Sequence, residues 1–169
     1  VWDLGADAER PHMVRLFSSF YLMDSEVTRA QWASIEAEGH EAPSDPEKPK
    51  TGVSYADAAT FVAHLTARDP RWVYRIPTEA EWVRGTAMAG VRGARSAPSE
   101  WCRDVHEPYP ISEVMNPCPV SPDGSRHRTT RGGTDEPRRG HAAPGEGSGS
   151  ASPPPSACSS HSPAARWSA

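Results

Sequence analysis

The sequence predicts an α+β domain. Three observations carry that prediction. An apolar run near the start, residues 13–23 (MVRLFSSFYLM), has the partial alternation of strand. Three hydroxyl residues, Thr28, Ser54 and Thr78, each head a segment with helical character. Beyond about Gly90 regular periodicity fades and turn residues take over. Short strands, three helices and a loop-rich second half together make an α+β pattern.

The elements follow in order. The run 13–23 reads as one strand or two short ones. Thr28 with Gln31 has the capping-box spacing, so a helix opens there and continues to about Glu38, where Gly39 ends it. Trp32 and Ile35, three apart, face the core. Residues 41–52 (EAPSDPEKPKTG) hold three prolines and many charges, which predicts an exposed loop. Ser54 caps a second helix over about 55–67, with Ala58, Phe61, Val62 and Leu65 on one face, and Pro70 stops it. Trp72, Val73, Tyr74 and Ile76 have strand character, and Pro77 ends that strand. Thr78 then caps a third helix. Glu81, three residues on, completes a second capping box, and Trp82 and Val83 begin the buried face. Residues 97–104 (APSEWCRD) are compact, and 116–133 read as turns with one short strand. After Arg139 nearly every residue is Ala, Ser, Pro or Gly, with Trp167 the large apolar exception. Such a segment cannot bury enough surface to offset its ordering entropy. The expected organisation is a domain over 1–138 and a disordered tail over 139–169.

Composition narrows the function classes. A chain of 169 residues fits one domain. Its net charge of −4 gives no argument for nucleic acid or an anionic membrane, where a basic patch would be expected. Mean hydropathy is −0.67 and no long apolar run occurs, so no membrane span is expected. The opening VWDLG lacks the basic start and apolar stretch of a signal peptide, and no compartment is assigned. Cys102, Cys118 and Cys158 lie far apart without a C-x-x-C pair, which removes the spacing argument for zinc or thioredoxin-like chemistry. No two of the seven histidines stand four apart in a predicted helix.

Several separated segments resemble, in order, the motifs of the formylglycine-generating enzyme, or sulfatase-modifying factor, family. Residues 9–16 (ERPHMVRL) look like its opening strand. Residues 26–32 (EVTRAQW) resemble its E-V-T-x-x-Q-[YFW] segment, and 53–58 (VSYADA) its V-S-[WY]-x-D-A segment. The octet 75–82 (RIPTEAEW) is similar to its core motif. Glu100, Trp101, Cys102 and Asp104 look like the end of its G-N-V-W-E-W-C-x-D segment. Asn116-Pro117, Gly124-Ser125 and 128–133 (RTTRGG) resemble its N-P … G-S-x-R-V-x-R-G-G run. The likeness spans residues 4–133.

The resemblance implies a fold related to the C-type lectins, with small antiparallel sheets, about three helices and many loops. Arg75, Thr78, Glu81, Trp82, Trp101, Asp104, Arg131, Gly132 and Gly133 are then expected to be structural motif residues. The family binds a structural calcium through a Glu at the position of Glu100, with an Asn three residues earlier. Ala97 stands at that earlier position here. The family's oxidases hold copper on two cysteines that follow the R-G-G-S run about five residues apart, and soft thiolates suit Cu(I). Here Gly133 is followed by TDEPRRGH, with no cysteine, so copper is not expected. The family's closing G-F-R strand is also missing, and the Ala/Pro/Arg/Ser/Gly-rich tail has the composition of a shifted reading frame in a GC-rich gene. The expected function is a non-catalytic binding or accessory module for an unidentified protein or small ligand. The alternatives are an oxidase converting a sulfatase active-site cysteine to formylglycine, or a truncated remnant of one.

Overall fold

The computed structural model describes residues 12–36, 43–88, 98–106, 109, 112–117 and 128–133, together with the backbone of 163–166. Three helices and six short strands are described. In chain order they are β1 (Val14–Arg15), β2 (Tyr21–Glu26), α1 (Arg29–Glu36), α2 (Tyr55–Arg68), α3 (Glu79–Thr86), β3 (Glu100–Val105), β4 (Val114–Met115), β5 (Arg128–Arg131) and β6 (Pro163–Arg166). The strands form three two-stranded sheets, β1-β4, β2-β6 and β3-β5. This is the α+β mix expected. Antiparallel pairing holds for β3-β5, whereas β1-β4 and β2-β6 run parallel.

All three helix starts follow from their caps. Thr28 and Gln31 bond reciprocally, backbone N–H to side-chain oxygen, at 2.9 and 3.2 Å. Ser54 with Asp57 and Thr78 with Glu81 complete two more capping boxes. Each box satisfies two backbone N–H groups that a helix start leaves without partners. The loop at 43–50 finishes the task for α1. Its carbonyls at Pro46 and Lys48 accept from the N–H groups of Ala30 and Arg29. A segment expected only as exposed loop therefore also caps a helix.

The core lies between α1, α2 and β3. Val27, Val53, Ala58, Phe61, Val62, Ile76 and Trp101 form one buried cluster, with Trp32, Ile35 and Leu65 packed against it. Trp32 stacks on Phe61 at 4.9 Å between centroids. Trp101 donates its indole N–H to the Val53 carbonyl at 2.8 Å and takes Tyr55 edge-on. One side chain thus joins β3 to the entrance of α2.

Three differences from the sequence reading have physical causes. Residues 72–76 do not make a strand; Arg75 is a single bridge residue. The Tyr74 N–H donates instead to Thr66 Oγ1 of α2, and Trp72 and Val73 are exposed. Conversely, 100–105 is a strand that its charges disguise. Five of its six residues are buried, so no polar–apolar alternation marks it. In the tail, Pro163–Arg166 is a strand beside β2, so the expected disorder does not hold for those four residues. Main-chain pairing to an existing strand needs little side-chain bulk, which is why composition conceals it. The rest of the tail, Glu38, Gly39, Gly90, Ala97, Cys118, Gly124, Ser125 and Cys158 lie outside the described residues, as do His40, His127, His141 and His161 and residues 9–11 of the expected opening strand.

Candidate functional site

Most of the motif residues gather at the N-terminus of α3, where it meets β3 and β5. The octet supplies the first layer. Glu81 Oε2 accepts from the Thr78 N–H at 2.8 Å and from Arg75 Nη1 at 2.7 Å, while Oε1 accepts from Arg75 Nη2 at 2.6 Å. One carboxylate therefore closes a capping box and a bidentate ion pair together. Burial works against ionisation of Glu81, but the Arg75 bonds and charge and the Thr78 contacts outweigh it and hold the carboxyl below its ordinary range. Arg75 is thus a partner of its own octet.

Strand β3 supplies the second layer. Asp104 is buried, and its Oδ2 accepts from the Glu79 N–H, the first of α3, at 2.7 Å. Burial pushes its pKa up to about 7, with the charges of Glu79 and Glu81 adding to the rise and hydrogen bonds opposing it. Arg103, its neighbour, donates its N–H to the Pro77 carbonyl at 2.8 Å. Cys102 is fully buried against Trp82. Burial, then the charge of Asp104, pushes its thiol well above the ordinary range.

Strand β5 supplies the third layer. Arg131 donates to Glu79 Oε1 and to the Tyr109 hydroxyl. That hydroxyl donates to the same Glu79 oxygen at 2.6 Å. A closed triangle of Glu79, Tyr109 and Arg131 joins α3, β5 and the segment after β3. Gly132 and Gly133 follow with φ of 86° and 90°.

The site thus brings together Arg75, Thr78, Glu81, Trp82, Asp104 and Arg131. Trp101 faces the core, on the other side of β3 from Cys102. Glu100 begins β3, 1% exposed and in register with Arg131. Glu79 and Tyr109 were missed. The acid at the first position of a helix is the signal that could have flagged Glu79; Tyr109, in a proline-flanked stretch, carried none.

The donor sets can be tested against two metals. Calcium takes about six to eight oxygen ligands. Among the described residues no three His, Cys, Asp or Glu side chains are grouped to hold a metal. Two buried polar atoms at this end without a hydrogen-bond partner among the described residues, Arg75 Nε and Trp82 Nε1, are donors, which do not ligate a cation. Copper on thiolates needs two accessible sulfurs of lowered pKa. Cys102, buried and shifted the other way, does not fit that role. Chemically, the arrangement locks a helix end between two strands.

No curated protein and no solved structure matches the chain at a significant level. A family model described as the sulfatase-modifying factor enzyme 1-like domain matches residues 2–133. That match covers most of the chain and all the described motif residues, so the chain belongs to the sulfatase-modifying factor family, whose fold is C-type-lectin-like.

Proposed function

We propose that this domain is a non-catalytic binding or accessory module of its family, working without copper. One observation carries the reading. The positions after Arg131-Gly132-Gly133, where the resemblance calls for two copper-binding cysteines, read TDEPRRGH. Neither arginine nor histidine reproduces a pair of thiolates as a soft ligand set for Cu(I). The burial of Cys102 supports the same reading, because a thiol with that environment is neither a ready ligand nor a nucleophile.

The test is direct. The full chain is incubated with copper, oxygen and a peptide carrying the sulfatase-type C-x-P-x-R sequence, and the peptide is weighed by mass spectrometry. No conversion of cysteine to the aldehyde is expected. Copper-dependent conversion would overturn the proposal.

A further inference from the structure

The pairing of β2 with β6 joins two strands of very different standing. β2 is anchored from behind. Leu22 packs so closely on α3 that a Cβ built on Gly85 would lie 2.3 Å from Leu22 Cδ2. Met23 packs on the main core, and Glu26 and Val27 at its end are buried. Tyr21 at its start takes Trp72 edge-on at 5.4 Å.

β6 has no comparable anchor in its sequence. It is Pro-Ala-Ala-Arg, reached from β5 through residues 132–162. Proline and two alanines offer little apolar surface to bury. Its attachment to β2 therefore rests mainly on main-chain hydrogen bonds, the interaction by which an extended peptide adds to a sheet edge. The register places Pro163 beside Tyr21, Ala164 beside Leu22 and Arg166 beside Glu26. The register shifts between Leu22 and Glu26, so the backbone pairing is not continuous along β2. Among the described strands β2 has no other partner.

We propose that the edge of β2 is a strand-accepting site, and that residues 163–166 of the same chain occupy it as a displaceable internal ligand. The surface fits an extended segment running parallel to β2, with small residues followed by a basic one. This inference stands on the β2-β6 geometry and is independent of whether the domain is catalytic.

The test uses the full chain and hydrogen exchange of the amides in 21–26. Ala164→Pro with Ala165→Pro removes two N–H donors from β6. Protection of the β2 amides is expected to fall by about tenfold or more, the worth of one or two net hydrogen bonds. Ala164→Ser with Ala165→Ser retains both N–H groups and is expected to keep the protection. A peptide of sequence SHSPAARWSA, residues 160–169, added to the proline variant is expected to restore protection saturably, and to bind the unaltered chain at least about tenfold more weakly because its own segment competes. Unchanged protection in the proline variant overturns the pairing. Lost protection that the peptide does not restore overturns the strand-accepting edge. Protection that disappears on dilution of the unaltered chain overturns the internal ligand in favour of a second copy.

Discussion

The Glu79 backbone N–H donates to the Asp104 carboxylate at 2.7 Å, so a strand side chain caps the first turn of α3 from outside the helix. Thr78 and Glu81 close the same turn from within. The helix start is fixed by residues on both sides of a 25-residue separation. The octet is therefore half of a joint whose other half is β3.

Asp104 makes that joint sensitive to pH. Its folded pKa of about 7 stands above the ordinary 3.8. A raised carboxyl pKa stabilises the fold fully below the unfolded value, and the contribution is lost as pH rises through the folded value. Stability relative to Asp104→Asn should therefore decline between about pH 4 and pH 7, by a few kcal/mol at about 1.4 kcal/mol per unit. Asparagine retains an acceptor for the Glu79 N–H and carries no charge. Urea unfolding of both proteins across that range checks this; parallel curves would rule it out.

Glu81 carries the opposite sign. Its carboxyl is held below its ordinary 4.5, so its contribution is present above that value and lost as pH falls through the folded one. Glu81→Ala leaves Arg75, 15% exposed at its side chain, without its carboxylate. A loss of about 3–5 kcal/mol is expected, the cost of an uncompensated buried charge. Thr78→Ala removes only the cap and should cost about 1 kcal/mol, with Thr78→Ser near neutral. Denaturant midpoints at pH 7 separate the three variants.

The contact of Leu22 with Gly85 predicts a coupled pair. Gly85→Ala places a methyl 2.3 Å from Leu22 Cδ2, so the leucine must move. Overpacking of this kind costs about 1–3 kcal/mol. Leu22→Ala should lose stability alone yet recover part of the Gly85→Ala loss in the double variant. A double-mutant cycle by chemical unfolding reads the coupling; strict additivity would deny the contact.

Cys102 should resist thiol reagents. It is fully buried and its thiol is pushed well above the ordinary range, so few molecules carry the reactive thiolate at neutral pH. Peptide-level mass spectrometry after maleimide treatment should find Cys102 labelled at least about tenfold more slowly in the folded chain than in denaturant. Equal rates would show that the Trp82 contact does not seal it.

How much of this could be read from the chain depended on sequence distance. The three helix starts were legible because a capping box lies within four residues and its chemistry is local. Asp104 and Arg131 could be named as motif residues, yet their common partner Glu79 could not, since Arg131 lies 52 residues away. Tyr109 gave no sign at all, because a lone tyrosine acquires its role only when β3 and β5 pair. Strand β3 hid because burial on both faces removes alternation. The segment at 72–76 misled for another reason: Trp72 and Val73 lie exposed while Ile76 reaches the core, and Thr66 takes the hydrogen bond a neighbouring strand would have taken.

Gly132 and Gly133, with φ of 86° and 90°, have a consequence for the chain that follows. Two successive left-handed residues strongly favour glycine, because a Cβ is crowded in that region. They set the direction in which the backbone leaves β5, and the family match also ends at Gly133. The pair works as a fixed socket. A side chain at either position would crowd the backbone there, so the end of β5 is keyed to the absence of a Cβ.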